Sequence, residues 1–278
     1  MERIKHAIEK DKKLNPGRTG QPLQTHASML KAQTSPPATD QQELTDVSYT
    51  HTRIVKLQAE HLEKNRIVAF NKSDAMSMNF DLLRTLVLQK MEEKGWRTLA
   101  ITSPTPAAGK TVVAINLAMS IAQQTNKSAM LVDFDLRRPK VGSYLGIPMD
   151  KSLNNLLDDT ATLPEVLINP DMPRLVVLAT KTPVKKSSEA LSSKKIADLV
   201  RDLRERYSSR IVIFDLPPVL VTDDAIALLP KIDCILLVVA NGMSTKQEIE
   251  DSIRLLPAEN LIGTVFNKAE IEPMDYYY

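Results

Sequence analysis

One cysteine, Cys234, stands in 278 residues. A lone thiol excludes an intrachain disulfide and a cysteine-based metal site. It lies in the apolar run CILLVVA, which reads as a core strand. Histidine is nearly as scarce. His6, His26, His51 and His61 all fall in the first quarter of the chain, with no metal-ligand spacing. No apolar run approaches the ~20 residues that a membrane-spanning helix needs. Residues 1–10 are charged throughout, unlike a signal peptide. The expectation is a reduced, cytoplasmic setting. Net charge is only +2, so no nucleic-acid partner is expected. There is no internal repeat.

Residues 14–50 are rich in Gln, Thr, Ser and Pro and poor in large apolar side chains, which predicts a disordered linker. Residues 2–12 carry Ile4, Ala7 and Ile8 on one helical face and predict a short helix. Residues 55–68 are expected to pack onto the main domain. From Met76 the pattern becomes regular. Phe80, Leu83, Val87 and Met91 recur at helical spacing. Strands are predicted at 97–103, 128–133, 174–179, 210–215, 233–240 and 261–267. Helices are predicted at 110–124, 152–158, 192–207, 222–229 and 245–256. Such alternation implies an α/β fold, with a mostly parallel sheet covered by helices on both faces. The predicted division is an N-terminal segment, 1–75, and a domain, 76–278.

Three strand ends carry the chemistry. The first runs into Pro106-Ala107-Ala108-Gly109-Lys110-Thr111-Val112. A strand, a loop of small residues, then Gly-Lys-Thr opening a helix presents backbone N–H groups to phosphate oxygens. Lys110 would reach the β/γ-phosphates and Thr111 would ligate Mg²⁺. The strict motif has Gly six residues before the Lys; here that residue is Pro104. The second strand ends in Asp133-Phe134-Asp135-Leu136-Arg137. Carboxylates at i and i+2 share one side of an extended chain. One can hold Mg²⁺ and the other can accept a hydroxyl proton. The third is Ile211-Val212-Ile213-Phe214-Asp215, a buried strand delivering a carboxylate to the metal. Each acid alone is also what a solvated strand end or a turn produces. Their order in one chain argues for a nucleotide site.

These runs resemble the bacterial tyrosine kinases (BY-kinases), autokinases of capsule and exopolysaccharide synthesis. The carriers are Pro106 four residues before Lys110, Met130-Leu131-Val132-Asp133-Phe134-Asp135-Leu136-Arg137, Asp215-Leu216-Pro217-Pro218, and Tyr276-Tyr277-Tyr278. The resemblance covers about residues 76–278. It implies a three-layer P-loop NTPase fold of the MinD/ParA-like kind and ATP with Mg²⁺ as cofactors. In the implied roles, Lys110, Asp133, Asp135 and Asp215 are catalytic, and Thr111, Asp135 and Asp215 surround the metal. Asn267 contacts the adenine edge, and tyrosines 276–278 are the phosphoacceptors. The family's Glu-x-x-Arg-x-x-Arg assembly motif corresponds to Asp81, Arg84 and Val87, so Asp81 and Arg84 are the candidate interface residues. The implied partners are a membrane-bound chain-length and export co-polymerase acting as activator, a second copy for phosphorylation between chains, and a tyrosine phosphatase. The implied location is the inner face of the cell membrane, reached through the co-polymerase. A MinD/ParA-type ATPase is the alternative, although its Lys five residues before the catalytic Lys is Thr105 here. A non-catalytic ATP-binding regulator is another. Asp224 reads as a helix N-cap. Lys185, Lys186 and Glu189 read as a solvated loop.

Overall fold

The computed structural model describes residues 52–269 except Thr125. The predicted helix at 2–12, the linker at 14–50 and the tyrosines at 276–278 lie outside the described residues.

Eight strands form one sheet: β1 (Arg53–Ile54), β2 (Thr98–Thr102), β3 (Ser128–Asp133), β4 (Ile168–Asn169), β5 (Leu175–Leu178), β6 (Arg210–Asp215), β7 (Cys234–Ala240) and β8 (Leu261–Asn267). Their order is β1-β4-β5-β3-β6-β2-β7-β8. Every pairing is parallel except β4 with β5. The central strands β2, β3, β6 and β7 are buried at every position. That is the burial expected where helices cover both faces of a parallel sheet.

Period-two alternation sorts the strand residues between two cores. Leu99, Ile101, Leu131, Ile213, Leu236 and Val238 face α2 (Ser77–Lys94) and α3 (Lys110–Gln124). Ala100, Met130, Val132, Val212, Phe214 and Leu237 face α8 (Lys194–Glu205) and α9 (Asp224–Leu228). Phe134 and Phe214 stack at 5.2 Å within the second core. α2 stops at Gly95, whose φ of 66° and N–H to Glu92 O, followed by Trp96 N–H to Met91 O, close its last turn. α8 opens on Ser193, which accepts the Ile196 N–H. α10 (Lys246–Leu255) opens on a capping box of Thr245 and Glu248. The remaining helices are short: α1 (Ala59–Lys64), α4 (Val141–Leu145), α5 (Leu153–Leu157), α6 (Leu163–Val166) and α7 (Ser187–Ser192).

The boundary expected at residue 76 falls too late. β1 extends the sheet beside β4, and Leu62, Ile67 and Ala69 belong to the first core. Asn116, fully buried in α3, accepts the N–H groups of Val68 and Ala69 and donates to the carbonyls of Arg66 and Val112. One side chain thus stitches the segment before α2 onto the helix that begins at Lys110. The strands β1 and β4 escaped the sequence reading because two residues carry no periodicity.

Candidate functional site

The order β3-β6-β2 brings the three singled-out strand ends side by side at the C-terminal edge of the sheet, where open α/β folds bind ligands. Asp133 and Asp215 are register partners across β3 and β6, and Ile101, near the end of β2, pairs with Asp215 from the other side.

The loop after β2 is left-handed at Ala107 (φ 65°) and Gly109 (φ 94°). At Gly109 a Cβ would stand 2.2 Å from Asn267 Nδ2. Glycine therefore serves both the backbone conformation and the close approach of β8. Asn267 donates from Nδ2 to Ala108 O at 2.8 Å. The residue expected at the adenine edge thus braces the phosphate loop in this structure. The strand-following segment 216–220 braces the same loop, with Val219 N–H on Ser103 O and Leu220 N–H on Pro104 O.

Lys110 Nζ lies 2.8 Å from Asp135 Oδ2 and 3.1 Å from Asp215 Oδ1. Thr111 donates its hydroxyl to Asp215 Oδ2 at 2.6 Å. Burial alone would lower the Lys110 pKa. Asp215 and Asp135 outweigh burial and hold it above the ordinary lysine value. Burial pushes Asp215 upward, opposed by Lys110 and the Thr111 hydroxyl. Asp133 is fully buried, and burial together with the neighbouring Asp215 pushes its carboxyl well above the usual range.

Asp133 and Asp135 share one side of the strand end, where one was expected to hold Mg²⁺ and the other to accept a proton. Their bonding differs. Asp133 Oδ2 accepts the N–H groups of Lys140 and Val141 at 3.0 Å each, and among the described residues Oδ1 accepts that of Asp135 alone. Asp133 therefore anchors the loop leading into α4 as well as facing the cluster. Asp135 pairs with Lys110 and accepts the Arg138 N–H.

Asp81 and Arg84, the candidate interface residues, are engaged within the chain. Arg84 donates to Asp81 at 2.9 Å and to Ser120 of α3 at 3.2 Å. Val87 is buried in the core. Spacing of three puts 81, 84 and 87 on one helical stripe, and that stripe faces α3. The internal pair uses Arg84 Nη1 and Asp81 Oδ1, which leaves further donors on the Arg84 guanidinium.

Asp224 is not the cap. Its fully buried carboxylate is gripped by Arg137 through Nε at 3.0 Å and Nη2 at 3.1 Å. The sequence carried both residues but no sign that they meet. Glu189 lies in α7 and pairs with Lys186 on the surface.

A mostly parallel sheet with this strand order, a Gly-Lys-Thr loop after β2 and carboxylates at the ends of β6 and β3 defines a P-loop NTPase of the MinD/ParA-like kind. The cell-division ATPase MinD of Pyrococcus furiosus shares this fold (TM-score 0.52, 20% identity, 61% of this chain and 70% of that one). Its curated relatives in sequence, and several of its neighbours in fold, are bacterial tyrosine kinases. It is 29% identical over 260 residues to a putative tyrosine-protein kinase EpsB of Ralstonia nicotianae, covering 93% of this chain and 33% of that one. It is 26% identical over 224 residues to the tyrosine-protein kinase YwqD of Bacillus subtilis, covering 80% and 93%. The kinase domain of the Escherichia coli tyrosine kinase ETK superposes with a TM-score of 0.69 at 25% identity, over 81% of this chain and 91% of that one. The chain spans only about a third of EpsB. No protein-family model matches the chain. Among the described residues, no helix is long and apolar enough to cross a membrane.

Proposed function

We propose that the chain is an ATP-dependent protein-tyrosine kinase that phosphorylates tyrosines 276–278 of a second copy and regulates exopolysaccharide or capsule polymerisation. The observation that carries the reading is the buried cluster of Lys110, Thr111, Asp133, Asp135 and Asp215 over three adjacent strand ends. One ammonium facing three carboxylates leaves room for further positive charge.

The donors Thr111, Asp135 and Asp215 are all oxygen, which suits Mg²⁺. Among the described residues no group of three His, Cys, Asp or Glu forms a protein-only metal cage. The ion would be held by a hydroxyl, one or two carboxylates and phosphate oxygens. When bound, Mg²⁺ would neutralise charge on the nucleotide phosphates. Lys110 and the N–H groups at the start of α3 would hold those phosphates in place. Asp133 keeps Oδ2 on the loop. Oδ1, with one N–H partner, is the oxygen left to take the tyrosine proton as the phenolic oxygen bonds to the γ-phosphorus and the bond to ADP breaks. Thr105, at the position of the second lysine of MinD/ParA-type ATPases, speaks against that alternative. A membrane-bound co-polymerase as activator, a phosphatase as antagonist and a site at the inner membrane face follow from the family resemblance.

The test is mass spectrometry of the tail after expression, for the wild type and Lys110→Met. Phosphotyrosine at 276–278 in the first and none in the second is the expected result. Equal labelling of both would overturn the reading.

A further inference from the structure

The carboxylate cluster has a cationic rim on one side. Arg138 and Lys140 follow β3, and Lys181 and Lys185 follow β5, its neighbour in the sheet. All four are exposed. None has an ion-pair partner among the described residues. The two loops are joined. Val184 N–H donates to Leu136 O at 2.8 Å, and the Thr180 hydroxyl donates to Asp133 O at 2.7 Å. Arg138 and Lys140 are held by their own N–H groups on Asp135 and Asp133. Acids nearby on this edge are already engaged: Asp224 by Arg137, Asp223 by the Ser188 hydroxyl and Glu189 by Lys186.

Position along the edge says what this rim meets. The phosphate loop follows β2, Asp215 ends β6, Asp133 ends β3, and the rim follows β3 and β5. The rim therefore lies across Asp133 from the phosphate loop. In an in-line transfer the acceptor arrives opposite the departing ADP, which is the rim side. The tyrosines at 276–278 are preceded by Glu270, Glu272 and Asp275, with no basic residue from 270 to 278.

We propose that Arg138, Lys140, Lys181 and Lys185 dock the acidic run 270–275 of a second copy, placing its tyrosines at Asp133. The rim sets acceptor specificity by charge complementarity. This rests on the kinase reading above.

The experiment uses the full chain with ATP and Mg²⁺ and a peptide of residues 268–278. A second peptide carries Glu270→Gln, Glu272→Gln and Asp275→Asn. A chain variant carries Arg138→Gln, Lys181→Gln and Lys185→Gln. Surface pairs of this kind predict a KM rise of roughly tenfold for the neutral peptide, with kcat within about twofold. The chain variant should show the same rise with the native peptide and little preference between peptides. An unchanged KM in either comparison overturns the inference. So does charge-dependent sedimentation with phosphatidylserine vesicles alongside peptide KM values that ignore charge, which would assign the rim to a membrane. If no peptide is phosphorylated, the kinase reading fails by itself. Fluorescence anisotropy of the labelled peptides then decides the inference. Binding lost with the acids supports it; binding indifferent to them, or absent, overturns it.

Discussion

Arg137 holds Asp224 in a two-pronged grip, Nε and Nη2 each on one carboxylate oxygen. It ties the loop after β3 to the helix that follows β6, so the two carboxylate-bearing strand ends are clamped from outside the cluster. Arg137 remains half-exposed while Asp224 is fully buried.

Removing the exposed partner should therefore cost more than its exposure suggests. Arg137→Ala leaves a buried carboxylate unpaired, which predicts a loss of about 3 kcal/mol, the low end for breaking such a pair. Arg137→Ala combined with Asp224→Asn should recover part of it. Urea unfolding of both single variants and the double variant checks this. Additive losses would mean that the pair is not coupled.

Asp133 should separate into two roles. Asp133→Asn retains an oxygen for the Lys140 and Val141 N–H groups and should fold, yet transfer to the tail should slow by at least about 100-fold with nucleotide affinity kept. Asp133→Ala should also lose about 2 kcal/mol of stability, because buried N–H groups lose their acceptor. Single-turnover labelling and thermal melts distinguish the two. A fully active Asn variant would leave the residue as an anchor alone.

Gly109→Ala should abolish nucleotide binding. The new Cβ meets Asn267, and φ of 94° is strained for any side chain. Asn267→Ala added to it relieves the contact but not the backbone, so binding should return only in part. Titration with a fluorescent ATP analogue measures both.

A chain beginning at Met76 should be unstable, whereas one beginning at Asp40 should fold. The first lacks β1, α1 and the core residues Leu62, Ile67 and Ala69. Asn116→Ala should reproduce part of the defect, at about 2–3 kcal/mol, by orphaning buried backbone groups. Denaturation midpoints and amide exchange of residues 66–69 report it.

Stability without nucleotide should rise as pH falls toward the ordinary carboxylate range. Asp133 and Asp215 have raised folded pKa values. Folded protein then binds more protons than unfolded chain, so their contribution is fullest below the unfolded value and fades as pH climbs through the folded one. Lys110, also raised, keeps its contribution until pH passes 10.5 and above. Glu165 runs the other way. Lys151 and the Thr162 N–H and hydroxyl pull it down to about 2, so its contribution is present above the usual glutamate value and lost only in stronger acid. Melting temperatures across buffers test the sign. Asp133→Asn should flatten the trend, and an unflattened one would mean that Asp133 is already ionised in the folded protein.

Local signals determined much of this protein. Apolar runs of four to seven residues marked the central strands, because strands buried on both faces need no alternation. That Lys110, Asp133, Asp135 and Asp215 would gather was legible because each stands at the end of such a strand or shortly after it. Tertiary structure decided the rest. Only strand order shows that β6 stands between β2 and β3 and so gathers their ends. Only packing shows that Arg137 meets Asp224 across 87 positions of sequence, that Asn116 reaches back to residues 66–69, and that the stripe of Asp81, Arg84 and Val87 turns inward. These contacts join groups far apart in the chain. Sequence spacing holds information about neighbours along a helix or strand, and none about which two distant surfaces close over one another.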